Sequence, residues 1–104
     1  MEITDVRIRK TYEDPRLKAL VSVTIDGELA VHDIKVIEGP ERLFVAMPSR
    51  KDESGAFRDI AHPITSAARG LLEHVILDKY REYMEAQAHS DETLRERIAE
   101  MPEL

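Results

Sequence analysis

The chain has 104 residues, 42% of them hydrophobic, no cysteine and a formal net charge of −6 from 15 basic and 21 acidic side chains. That length fits one domain with its own core. The missing cysteines exclude disulfides, thiol nucleophiles and thiolate metal sites, and the acidic total argues against unspecific phosphate binding unless positive charge is gathered locally.

The first half carries strand chemistry. Residues 2–10 set Ile3, Val6 and Ile8 among polar residues. Residues 17–26 alternate, with Ala19, Val21, Val23 and Ile25 on one face and Lys18, Ser22 and Thr24 on the other. Asp26-Gly27 marks a two-residue hairpin, because a type I′ turn needs positive φ at both central positions. In the returning strand, 28–38, the apolar phase slips from Leu29 and Val31 to Ile34 and Val36. A one-residue slip flips every later side chain unless a bulge absorbs it, which predicts a bulge at His32-Asp33. Gly39-Pro40 is a turn. Residues 43–47 are apolar throughout, which suggests a strand covered on both faces, and Pro48 ends it. Residues 49–55 are expected to be a polar loop and 56–61 a short strand returning to the sheet.

The period then changes. Ile64, Ala68, Leu71, Leu72, Val75, Ile76, Tyr80, Tyr83 and Met84 recur at three- and four-residue steps, predicting a helix of about 20 residues capped by Thr65 or Ser66. Gly70 inside it is expected to mark close approach to the sheet. Ser90 opens a second, shorter helical pattern with Leu94, Ile98 and Met101 on one face, stopped by Pro102. The expected fold is α+β: an antiparallel β-meander of about five strands, a long helix packed on it and a short C-terminal helix. The domain is expected over 1–88, with 89–104 an acidic helical extension. No apolar run reaches the roughly 18 residues of a membrane span, and the mixed start Met1-Glu2-Ile3-Thr4-Asp5 lacks signal-peptide character, so the expectation is a soluble intracellular protein without membrane partners.

The search for chemistry narrows to one segment. His32-Asp33 and Asp59-x-x-His62 have the residue types of acid–base or metal sites, but neighbours on a strand face opposite ways and no His pair has ligand spacing. No serine sits in a G-x-S-x-G elbow, and neither G-x-x-x-x-G-K-[ST] nor G-x-G-x-x-G occurs. Neither a catalytic residue, a metal site nor a cofactor is therefore assigned. The scattered aromatics read as packing residues. Charge, by contrast, is segregated. Residues 42–69 hold five basic and three acidic side chains, whereas 70–104 hold four and nine. Arg50 and Lys51, then Arg58, then Ser66 and Arg69 at a helix start whose free N–H groups favour anions, could together clamp phosphate. The competing reading is a solvated loop in which Asp52 and Glu53 neutralise Arg50 and Lys51.

The blocks MEITDVRIRK, VHDIKVI, LFVAMPSRK and GAFRDIAHPITSAARG resemble the stage V sporulation protein G family, also called the septation protein family, in order from Met1 to about Tyr83. The resemblance implies a cytoplasmic bacterial regulator of gene expression linked to septation and sporulation. It further implies binding of DNA and RNA and a homodimer built through the sheet. The family's binding region falls on Arg50, Lys51, Arg58, Ser66 and Arg69. Where the family has a Thr-Pro-Asp-Gly type turn, this chain has Asp52-Glu53-Ser54-Gly55, and residues 85–104 lie outside the shared blocks. An alternative is a protein-interaction module using the apolar 43–47 strand and the acidic C-terminal segment. A third is a hydrolase or metal enzyme using His32, His62 and Asp59.

Overall fold

In a computed structural model, which describes the backbone of residues 1–100 and side chains through Ser90, four strands form one antiparallel sheet in the order β1 (Ile3–Thr11), β2 (Leu17–Ile25), β3 (Leu29–Glu38), β4 (Leu43–Ala46). A separate pair, β5 (Ser49–Lys51) and β6 (Phe57–Asp59), follows, and then one helix, α1 (Ser66–Glu100). The α+β class is as expected.

Register explains the sheet. Asp26 and Gly27 both take positive φ (53° and 66°), and Glu28 N–H donates to Ile25 O at 3.0 Å, closing the tight turn. Val21 pairs with Ile34 but Val23 with Val31, so His32 and Asp33 together oppose Ser22. This is the expected bulge, with Asp33 at φ 60°. β1 carries two more register breaks, at Thr4 and Arg9. The first puts Ile3, an odd-numbered residue, on the same face as Val6 and Ile8.

That face is the core. Ala19, Val21, Ile34, Val36 and Ile76 are fully buried, with Val23, Val45, Leu72 and Leu77 nearly so. α1 lies across it, touching β1 and β4. Each such aliphatic side chain contributes roughly 1.5–3 kcal/mol of burial free energy.

Several expectations are corrected. Residues 49–55 are not all loop, and 57–59 do not return to the main sheet. β5 and β6 pair with each other instead, because a side-chain-capped turn closes the chain locally. β4 is an edge strand, with Val45 buried and Leu43, Phe44 and Ala46 half-buried, so it is not covered on both faces within one chain. Among the described residues no separate C-terminal helix follows the first. α1 runs unbroken past Ser90 to Glu100, since Ser90 alone does not stop a helix. The faces of Leu94 and Ile98 fall outside the described side chains, and Met101 and Pro102 outside the described residues. Thr65 is the cap, accepting the Ala68 N–H on Oγ1 at 3.0 Å. The buried stripe includes Leu77, which the periodicity missed. Ile64 precedes the cap and is 87% exposed, while Leu71 and Met84 are also exposed.

Gly70 does not mark a close approach. It is exposed, and a Cβ built there meets no atom within 4 Å. Gly70→Ala is therefore expected to stabilise the fold by about 0.4–1 kcal/mol. Chemical denaturation checks this, and a loss of stability would show a constraint on the helix that the open space hides.

Candidate functional site

The segment that joins sheet to helix builds a small projecting ribbon. Met47 is buried, Pro48 stops β4, and the chain turns into β5 and β6, whose residues are all exposed. Asp52 organises the turn between them. Its Oδ1 accepts the backbone N–H groups of Ser54 (2.9 Å) and Ala56 (3.1 Å) and the Ser54 hydroxyl (2.6 Å). Asp52 N–H donates to Ala56 O at 2.9 Å, and Gly55 takes φ 88°. At the ribbon's base, Ile60 N–H donates to Pro48 O at 2.7 Å.

The pairing fixes where each charge points. Arg50 lies directly opposite Arg58, and Lys51 opposite Phe57. Opposed residues share a face and sequence neighbours do not, so Arg50 and Arg58 occupy one face and Lys51 the other. The first face opens on a concavity lined by both arginines with Lys51, Asp52, Glu53, Asp59 and Ile60. On the second, Lys51 Nζ sits 5.8 Å from the centre of the 73%-exposed Phe57 ring. Two guanidiniums set opposite one another repel, and an anion between them relieves that repulsion.

Asp52 does not neutralise Arg50 and Lys51 in the way the solvated-loop reading requires. Its Oδ2 accepts from Arg58 Nε at 2.6 Å. The Ser54 hydroxyl and then the Arg58 guanidinium hold its carboxyl down at about 2. A carboxyl depressed in the folded state supports the turn fully above its unfolded value near 3.8, and that support is lost as pH falls through about 2. Carbon-detected NMR titration should therefore place the Asp52 midpoint near 2. A midpoint near 3.8 would mean that the turn is open in solution.

Ser66 and Arg69 sit on the first turn of α1, which contains no acidic residue, and both are exposed. They line neither the Arg50–Arg58 concavity nor the one formed by Phe57, Arg58, Asp59 and His62. The structure thus gathers Arg50, Lys51 and Arg58 on one ribbon and sets Ser66 and Arg69 on a neighbouring element. His62 Nδ1 lies 3.1 Å from Pro63 O, a local contact before the helix. His32 lies on the sheet beside Ser22, away from that segment. Among the described residues no group of three or more His, Asp or Glu comes together to hold a metal, and no helix is long and apolar enough to cross a membrane. Sequence reasoning missed the structural duty of Asp52. The signal was there in Asp52-x-Ser54-Gly55, a pattern that favours an Asx turn.

The family model described as SpoVG matches residues 1–82. Three relatives carry the name "Putative septation protein SpoVG", in one case with the suffix 1. The protein of Agathobacter rectalis is 58% identical over 85 residues, 82% of this chain and 98% of its own length. That of Thermoanaerobacter sp. is 58% identical over 88 residues, 85% and 96% of the two chains. That of Listeria monocytogenes is 49% identical over 100 residues, 96% and 98%. The ribbon and the start of α1 lie inside the matched region.

Proposed function

The chain belongs to the SpoVG family of septation proteins, and on that premise we propose that it is a dimeric, cytoplasmic nucleic-acid-binding regulator which grips phosphate through the β5–β6 ribbon and the start of α1. The observation that carries this reading is the cross-strand pair Arg50–Arg58, exposed on a ribbon that packs on little else, with Lys51 on its reverse. Planar guanidiniums bind phosphate in bidentate fashion. The acid-free first turn of α1, with Ser66 and Arg69, supplies free N–H groups and positive charge of the same kind.

The sheet's two unequal edges support the dimeric reading. β1 is guarded by two bulges and by Arg7, Arg9 and Lys10, features that discourage strand addition. β4 is short, apolar and unbroken, and it lies at the opposite edge. Pairing of β4 with its copy would give one continuous eight-stranded sheet and present two ribbons to one nucleic acid. Light scattering should then read twice the chain mass.

Fluorescence anisotropy with labelled duplex DNA and single-stranded RNA tests the function. Binding should be present at low salt and fall steeply as salt rises. Absence of binding at low salt would favour the protein-interaction reading. Asp52→Asn gives a sharper check. The amide oxygen can still accept the turn's N–H groups, but Arg58 is released from its carboxylate. A few-fold gain in affinity is expected, and unchanged affinity would show that Arg58 makes no phosphate contact.

A further inference from the structure

The face of the main sheet turned away from α1 carries charge that the ribbon does not explain. Since Val6, Val21, Ile34 and Val45 point into the core, their strand neighbours point out. Lys10, Leu20, Lys35 and Ala46 form one outward row across the four strands. The adjacent outward row runs Arg7, Ser22, His32, with Arg9 brought over it by the bulge. Leu20 is half-buried and Ser22 only 6% exposed, although the buried helix residues Leu72, Ile76, Leu77 and Tyr80 pack on the opposite face. The long side chains on either side shield them. The result is a trough along β2. Its floor is Leu20 and Ser22, one wall is Arg9 and Lys10, and the other is Lys35 and His32.

The trough is organised rather than merely charged. Arg9 Nε donates to Ser22 Oγ at 3.2 Å, and Ser22 Oγ lies 2.8 Å from His32 Nδ1. That anchor engages Arg9 through Nε, and the terminal guanidinium nitrogens take no part in it. The Asp5 carboxylate is taken by Arg7 at 2.9 Å. Lys10 and Lys35 stand two interstrand spacings apart, about 10 Å. This spacing suits one extended strand whose phosphates meet the cationic walls while its bases lie on the floor between them.

We propose that this trough is a second binding surface, for single-stranded nucleic acid, distinct from the ribbon. The cationic walls take phosphates, and the apolar floor, continued by the half-buried Phe44 and Ile37 of the neighbouring row, meets bases. Edge pairing through β4 leaves the face open, so two copies would set two troughs on one sheet. The inference rests on the nucleic-acid reading above but not on the ribbon.

The test is anisotropy with a single-stranded oligoribonucleotide, the same sequence as single-stranded DNA, and duplex DNA, for wild type, Lys10→Glu/Lys35→Glu and Arg50→Ala/Lys51→Ala. A milder Lys10→Gln/Lys35→Gln variant and thermal unfolding control for folding. The sheet-face variants are expected to lose at least tenfold in affinity for both single strands with a much smaller change for duplex. The Gln variant's salt slope should fall by about 1.4, for two lost contacts. Loss only in the Arg50/Lys51 variant would overturn the second surface and leave the ribbon reading standing. No binding of any strand by the wild type would overturn both. Equal competition by an oligoglutamate peptide would overturn it in favour of an acidic protein partner.

Discussion

Replacing Arg50 and Arg58 together by alanine is expected to weaken duplex binding by roughly 10- to 100-fold at physiological salt, because two charge-assisted phosphate contacts are removed at once. The slope of log affinity against log salt should fall by about 1.8, two contacts at about 0.9 each. The loss should be the same for every sequence, since phosphate contacts carry no base information. Lys51→Ala alone should cost less, because Lys51 stands on the opposite face beside Phe57. The fold should be unaffected. Both arginines are exposed, and the turn keeps the Asp52 contacts to Ser54 and Ala56 when Arg58 is gone. Anisotropy across a salt series reads all of this. An unchanged slope in the double variant would remove the arginine pair from the interface.

The second large effect is on stability. Ile34 and Ile76 are fully buried, one on β3 and one on α1, in a single core cluster. Ile34→Ala or Ile76→Ala is expected to cost about 2–5 kcal/mol through lost burial and the cavity left behind. That is a large share of the 5–15 kcal/mol or so that holds a typical domain together. At about 4–8 °C per kcal/mol for a domain of this size, the melting temperature should drop by about 8–40 °C. Ile64→Ala is the matched control, because Ile64 is 87% exposed, and its effect should stay within about 0.5 kcal/mol. Equal losses in all three variants would mean that Ile64 is buried in solution, which a dimer contact would bring about.

Much of the sheet was legible because its signals are local and steric. Asp26-Gly27 demands its turn, and the phase slip between Val31 and Ile34 demands a bulge. The ribbon was not legible, since Ser49-Arg50-Lys51 and Phe57-Arg58-Asp59 lack an alternating apolar face. Their pairing is set by one carboxylate, that of Asp52. For the same reason Arg50 and Lys51 read in sequence as one patch, although a strand sends adjacent side chains to opposite faces. The helix was legible along its buried stripe and misleading at its ends. Ile64 lies outside the cap that Thr65 makes, so helical spacing does not govern it. Leu77 widens the buried stripe beyond the strict three–four repeat. The sheet-face trough was hidden because its rows are assembled from four strands through two bulges, and no single stretch of sequence shows it.

The most direct test of the central claim is a proton–nitrogen NMR titration of the protein with an unlabelled duplex oligonucleotide at low salt. The account predicts that the largest amide shifts fall on residues 49–60 and at the start of α1, in both Arg50 and Arg58 and across the Asp52 turn. Bound oligonucleotide with unmoved ribbon amides would contradict it.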